Sequence, residues 1–154
     1  MSIEDRLKSM GIELSAPPMP AANYVGFVRQ GDLVFVSGQI PFVNGELPYK
    51  GRLGDGFSLE EGQAAAKACA ICVLAQVKAA CGGDLEKVQQ CIRLGGFVAS
   101  TPDFHDQPAV INGASDLVAE VLGDRGKHAR AAVGVAVLPF NVSVEVEGLF
   151  AISD

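Results

Sequence analysis

The chain has 154 residues, enough for one domain around one sizeable core. Hydrophobic residues make up 49% and charged residues 19%, which excludes global disorder. The formal net charge of −6, with no cluster of Lys and Arg, argues against a nucleic-acid partner, because phosphate backbones are gripped by basic stripes.

The start, "MSIEDRLKSMGIEL", lacks an apolar run of signal-peptide length, so a cytoplasmic protein is expected. Ser2 followed by Asp5 reads as a capping box for a short helix over about residues 2–11, ending at Gly11. The prolines of "SAPPMPAAN" then break regular structure. "YVGFVRQGDLVFVSGQI" predicts two strands joined by a tight turn at Gly31-Asp32. From Pro41 to Gly56 the chain is rich in Gly and Pro and predicts a loop, with a short edge strand around "ELPYKG".

Ser58 and Glu61 form a second capping box, opening an alanine-rich helix that Gly82-Gly83 end. Its most apolar window contains Lys67, Gln76 and Lys78 and is too short and polar to span a bilayer, so no membrane partner is expected. A strand follows over Val88 to Val98. "QPAVINGASDLVAEVLG" predicts a second long helix, with Pro108 in its first turn and Gly123 after its last. Two closing strands, Arg130 to Val137 and Val142 to Ile152, read as a hairpin around "LPFN". This order predicts an α+β sandwich, a single domain over 1–154 with helices covering one face of a mixed sheet.

Side chains alternate along a strand. Arg130, Ala132 and Gly134 therefore share one face, while Ser143, Glu145 and Glu147 oppose the valines of the last strand. If Val137 pairs with Val142, Gly134 lies opposite Glu145, and Arg130 and Glu145 share a face about 13 Å apart. A one-residue slip would put them on opposite faces. The residues between are small, leaving a recess walled by a guanidinium and a carboxylate. Such a recess suits a small carboxylic acid, which arginine grips bidentately. The same pattern also fits a solvated strand edge.

Other candidates carry less chemistry. Cys69 and Cys72 form a C-x-x-C motif, but in mid-helix, where a thiolate gains nothing from a helix N-terminus. No second Cys/His pair has zinc spacing, so all four cysteines read as packing thiols and no metal is expected. His105 reads as a solvated loop or helix-start residue. His128, two positions before Arg130, reads as a surface turn residue, with a place lining the same cleft as the alternative. Ser37 has no identifiable base and reads as a hydrogen-bonding group.

"GDLVFVSGQIP" (residues 31–41) and "HARAAVGVAVLPFNVSVEVEG" (residues 128–148) together resemble the RidA/YjgF family, and the similarity runs from about Tyr24 to the end of the chain. The resemblance implies a chorismate-mutase-like two-layer α+β sandwich. Its sheet is mixed and mostly antiparallel, with two long helices packed on one face. It also implies a homotrimer with ligand clefts between subunits and cofactor-independent hydrolysis of reactive enamines and imines, such as 2-aminoacrylate, to 2-keto acids and ammonia. Carried over by motif, the carboxylate-binding arginine falls on Arg130 and the water-orienting glutamate on Glu145. Substrate-binding positions fall on Tyr24, Ser37, Gly38, Asn112 and Ala132. Three departures mark a divergent branch. Ala132 stands where many members have cysteine, Ser115 where an aromatic hydroxyl is common, and "AANYVGF" lacks a Gly-Pro before the tyrosine. The rival expectation is a non-catalytic trimer that binds or senses small carboxylates. A ribonuclease is disfavoured by the acidic charge.

Overall fold

In the computed structural model, which describes residues 1–17 and 23–154, every expected helix and every expected strand but one is found, although the pairing differs. The break read at residues 15–23 lies partly outside the described residues. Helix α1 (Ile3–Ser9) begins with the reciprocal Ser2–Asp5 capping box and buries Ile3 and Leu7. Its backbone is pinned to the body where the Ile3 N–H donates to Glu86 Oε1 at 2.7 Å. Strands β1 (Phe27–Gln30) and β2 (Leu33–Gln39) form the expected hairpin, and Gly31 takes the positive φ of 61° at its turn. Between Val43 and Lys50 the chain forms only isolated bridges, Val43 to Glu46 and Lys50 to Val142, so the edge strand expected there does not form.

Helix α2 (Leu59–Ala80) is capped by Ser58 and Glu61, and α3 (Gln107–Leu122) carries Pro108 in its first turn and Gly123 as its C-cap. The two helices touch backbone to backbone. A Cβ at Gly113 would lie 2.1 Å from the Gln63 carbonyl oxygen, a distance only a glycine hydrogen permits. The small side chains Ala65, Ala66, Cys69 and Ala70 are fully buried beneath, which explains the alanine-rich composition of α2.

Strands β3 (Val88–Ala99), β4 (Ala129–Val135) and β5 (Val144–Ile152) complete a five-stranded sheet of order β1-β2-β5-β3-β4. Here the expectation fails. β4 and β5 are not a hairpin: β3 lies between them, pairing parallel with β4 and antiparallel with β5. The cause is α3, whose length turns β3–α3–β4 into a crossover unit, and a crossover delivers its second strand parallel to its first. β4 then stops at Val135, and the 71%-exposed Val137 belongs to the connection that carries the chain past β3. Leu94, Val98, Val144, Val146 and Phe150 face the helices and form the core. The other sheet face carries Val28, Phe35, Phe97, Val133 and Leu149 around Glu145 and Glu147, and no helix among the described residues covers it.

Replacing Gly113 with Ala should force the two helices apart and cost about 1–3 kcal/mol, the range for overpacking a filled core. Urea denaturation measures it; a curve overlaying that of the wild type would disprove the backbone contact.

Candidate functional site

Paired residues in a sheet point to the same side, so the register assigns faces directly. Arg130 pairs with Leu94, which faces the helices, and Glu145 pairs with Phe97, which faces the open side. The two charges therefore stand on opposite faces, with backbones on the order of 14 Å apart across two strand spacings. The expectation of a shared face was wrong, and for one reason: it assumed a β4–β5 hairpin.

On the helix face Arg130 meets two residues of α3. Its Nη1 donates to Asn112 Oδ1 at 2.8 Å and to Ser115 Oγ at 3.2 Å. Asn112 and Ser115 are three apart and so share a helix face. The Nε–Nη2 edge of the guanidinium has no hydrogen-bond partner among the described residues, and Arg130 makes no ion pair there. One side of the fork is thus braced and the other free.

Beside it, His128 Nε2 lies 2.8 Å from Ser115 Oγ, and His128 Nδ1 lies 2.6 Å from the Gly126 carbonyl oxygen. Gly126 is pressed against α3, where a Cβ would come within 2.5 Å of the Val118 carbonyl, so the turn bearing His128 is held at one distance from the helix. Ala132 lies one step further on the same face and packs against the core. At Gly134 a Cβ would meet Ser100 Oγ at 2.7 Å, so the recess expected along this strand is closed by side chains toward its far end.

The remaining expected residues gather on the β1–β2–β5 side. Glu145 is half-buried on the open face, and a Cβ at Gly38 would lie 2.9 Å from its Cδ. Gly38 thus leaves the space that the carboxylate occupies. Burial raises the Glu145 carboxyl above the ordinary glutamate range, and the nearby Glu147 carboxylate adds to the rise. Ser37 Oγ donates to the Val25 carbonyl at 2.6 Å, tying down the chain before β1, and Tyr24 beside it is exposed. Arg130, Asn112 and Ala132 therefore lie along the β4 edge, and Tyr24, Ser37, Gly38 and Glu145 lie nearer the opposite edge.

The link from His128 through Ser115 to Arg130 escaped the sequence reading, although its signal was present. Positions 128 and 130 share a strand face, and 112 and 115 share a helix face. The four thiols are free, and burial raises the pKa of each, that of Cys91 to about 12. Among the described residues no three His, Cys, Asp or Glu side chains are grouped to hold a metal ion, and no helix is long and apolar enough to cross a membrane.

Residues 4–152 match the family described as "YjgF/chorismate_mutase-like, putative endoribonuclease". The chain belongs to this family. Its sheet and helix layer are the chorismate-mutase-like fold of YjgF proteins. The chain is 48% identical over 144 residues to Protein TCP17 of Trypanosoma cruzi, covering 93% of this chain and 89% of that protein. A crystal structure of protein Atu1372, of unknown function, from Agrobacterium tumefaciens is 50% identical. It superposes with a TM-score of 0.93 over 98% of this chain and 92% of that one. The E. coli YjgF-family member TdcF, solved with bound serine, is 26% identical, with a TM-score of 0.64 over 90% of this chain and 94% of that one.

The raised Glu145 pKa has a thermodynamic sign. As pH rises, the unfolded chain releases this proton first, so ionising Glu145 at neutral pH favours unfolding. Glu145→Gln should therefore melt at a higher temperature than wild type at pH 7. The gap should shrink as pH falls below the ordinary glutamate value of 4.5, where both states hold the proton. Melting curves across pH measure this, and a gap widening toward acid would contradict it.

Proposed function

We propose that this YjgF-family protein hydrolyses small 2-imino acids and their enamine tautomers, of the 2-aminoacrylate type, to 2-keto acids and ammonia, as a cofactor-independent cytoplasmic enzyme. The observation that carries the reading is the half-braced guanidinium. With Nη1 held by Asn112 and Ser115, the Nε–Nη2 edge of Arg130 keeps the parallel donor pair that matches one carboxylate. A bound serine in TdcF is a ligand of the same size and charge type.

The chemistry required is modest. An imine carbon becomes electrophilic once its nitrogen is protonated, so the protein need only orient the acid and present water. Arg130 anchors the carboxylate. Glu145, its pKa raised by burial and by Glu147, is suited to orient and deprotonate water. Because Glu145 faces away from Arg130 in one chain, the complete site is formed between copies, Arg130, Asn112 and Ala132 facing Tyr24, Ser37, Gly38 and Glu145 of a neighbour. The uncovered sheet face, where Phe35 is 47% exposed beside Val28 and Val133 is 47% exposed at the far β4 edge, offers apolar side chains suited to self-association, which we assign to a homotrimer. A ribonuclease reading, suggested by the family description, is opposed by the net charge of −6.

The test is a coupled assay in which a dehydratase generates 2-aminoacrylate and keto-acid release is followed. Arg130→Ala should lower kcat/KM by about 100-fold or more, since two charge-assisted hydrogen bonds are lost at ~1.5–3 kcal/mol each. Arg130→Lys should fall between, keeping charge without the fork. Light scattering should give a trimer. Unchanged turnover in Arg130→Ala would defeat the proposal, and keto-acid binding without turnover would assign a carboxylate-binding module instead.

A further inference from the structure

Glu147 has no place in the proposed reaction, yet it shares a strand face with the carboxylate that does. Two residues apart on β5, Glu145 and Glu147 both point to the open side of the sheet, with backbones about 6.8 Å apart. They lean in opposite directions. A Cβ at Gly38, on β2, would lie 2.9 Å from Glu145 Cδ, whereas one at Gly95, on β3, would lie 2.8 Å from Glu147 Oε1. Arg93 of β3 stands on the Glu147 side: its Nη1 is 3.8 Å from Glu147 Oε1, and the same Gly95 Cβ would lie 3.2 Å from it. Glu145 makes no ion pair among the described residues. The arginine of this face is thus committed to the carboxylate that the reaction does not use.

The rest of the surroundings of Glu145 carry no such charge. β1, β2 and β4 turn Val28, Phe35, Ala131 and Val133 to this face. Lys50 pairs with Val142, which lies on the helix side with Val144. From α2, beneath the sheet, the buried Cys69 thiol donates to the Val144 carbonyl, and burial holds it protonated. Tyr24, before β1, is exposed. We propose that Glu147 and Arg93 are positioning residues acting through Glu145: they divide two carboxylates into one whose charge is held against an arginine and one left without a cation, to take and give a proton. The proposal rests on the imine-hydrolysis reading and deepens it by naming the groups that set when its base is charged.

The division suits a carboxyl that must work in both directions. Glu145 takes a proton from water as the C–O bond forms on the iminium carbon, then returns it to the nitrogen of the carbinolamine. The C–N bond breaks with its electron pair on ammonia, the O–H pair becomes the C=O bond, and that last proton leaves to solvent. Iminium and water become keto acid, ammonia and a proton, with no oxidant or reductant consumed. A carboxylate paired with arginine is a poor acceptor for the first proton, because a nearby cation favours its charged form. A like charge beside it has the opposite effect. Glu147 supplies that like charge, and by holding Arg93 to its own side it keeps the cation off Glu145. The raised carboxyl pKa of Glu145, to which burial contributes first and Glu147 second, agrees with this placement.

Two measurements test it. In the coupled assay, the acidic limb of kcat/KM against pH follows the charging of Glu145. Glu147→Gln removes a like charge and should move that limb to lower pH by about 0.5–1. Arg93→Gln removes an opposite charge and should move it to higher pH by about as much. Arg93→Lys, which keeps the cation, should stay near wild type. Damage to fold or assembly lowers the plateau of a variant but does not shift two limbs in opposite directions, and a neighbour's Arg130 is common to all of them. A limb unmoved in Glu147→Gln, or both Gln variants moving the same way, overturns the proposal and leaves imine hydrolysis standing. The second measurement needs no turnover: the 13C signal of the Glu145 side-chain carboxyl, followed across pH, should give a midpoint lowest in Glu147→Gln and highest in Arg93→Gln. A wild type without turnover overturns the imine reading, and the carboxyl midpoints still decide whether Glu147 and Arg93 act on Glu145.

Discussion

The crossover from β3 through α3 to β4 is the constraint on which the site depends. Two parallel strands cannot be closed by a tight turn, so the chain must leave the sheet plane, run back along one face and re-enter. Doing so lays α3 across the strand that its own crossover delivers. Arg130 emerges on the covered face with Asn112 and Ser115 directly beside it. Gly126 allows the return turn to touch α3, and that contact sets where His128 stands. The polar cluster is thus a by-product of the crossover geometry rather than of any local motif.

The same helix layer explains why glycine sits where it does. Gly113 lets α2 and α3 meet, Gly96 makes room for Ile111, and Gly148 makes room for Phe150 and Val73. On the other face Gly38 and Gly95 do the same for Glu145 and Glu147. Removing Cβ atoms on both sides of the sheet keeps the helices close on one and keeps the carboxylates partly sunk on the other. Glu145 loses water there without gaining a cation, and its pKa rises accordingly.

Element identity was legible in the residues because it is written locally. Ser2 with Asp5, Ser58 with Glu61, Pro108 and Gly123 mark helix ends through backbone groups within a turn or so. The alternation that puts Arg130 with Ala132 and Glu145 with Glu147 also held, since it is a property of one strand. Partner choice between strands was not legible. "LPFN" between two valine-rich runs fits a hairpin, and nothing within those 25 residues (128–152) reports that a strand from 30 positions earlier occupies the gap. That single error moved Glu145 to the wrong side of Arg130. The family motifs named the same residues regardless, because motif carry-over does not depend on strand pairing. His128 and Ser115 went unassigned because their link crosses from a turn to a helix.

Separation of the two charges has a chemical use. An arginine and a glutamate facing each other in one chain would pair, occupying the fork and holding the carboxylate ionised at low pH. Placed on opposite faces, Arg130 keeps its Nε–Nη2 edge free and Glu145 keeps a raised pKa. Under the proposed function both are used only where copies meet, and each lone chain holds two unfinished halves. In the proposed assembly, contact between copies does more than cover exposed Phe35 and Val133: it brings a carboxylate suited to deprotonating water toward a cation suited to binding acids, with the ligand between them to keep the pair from collapsing.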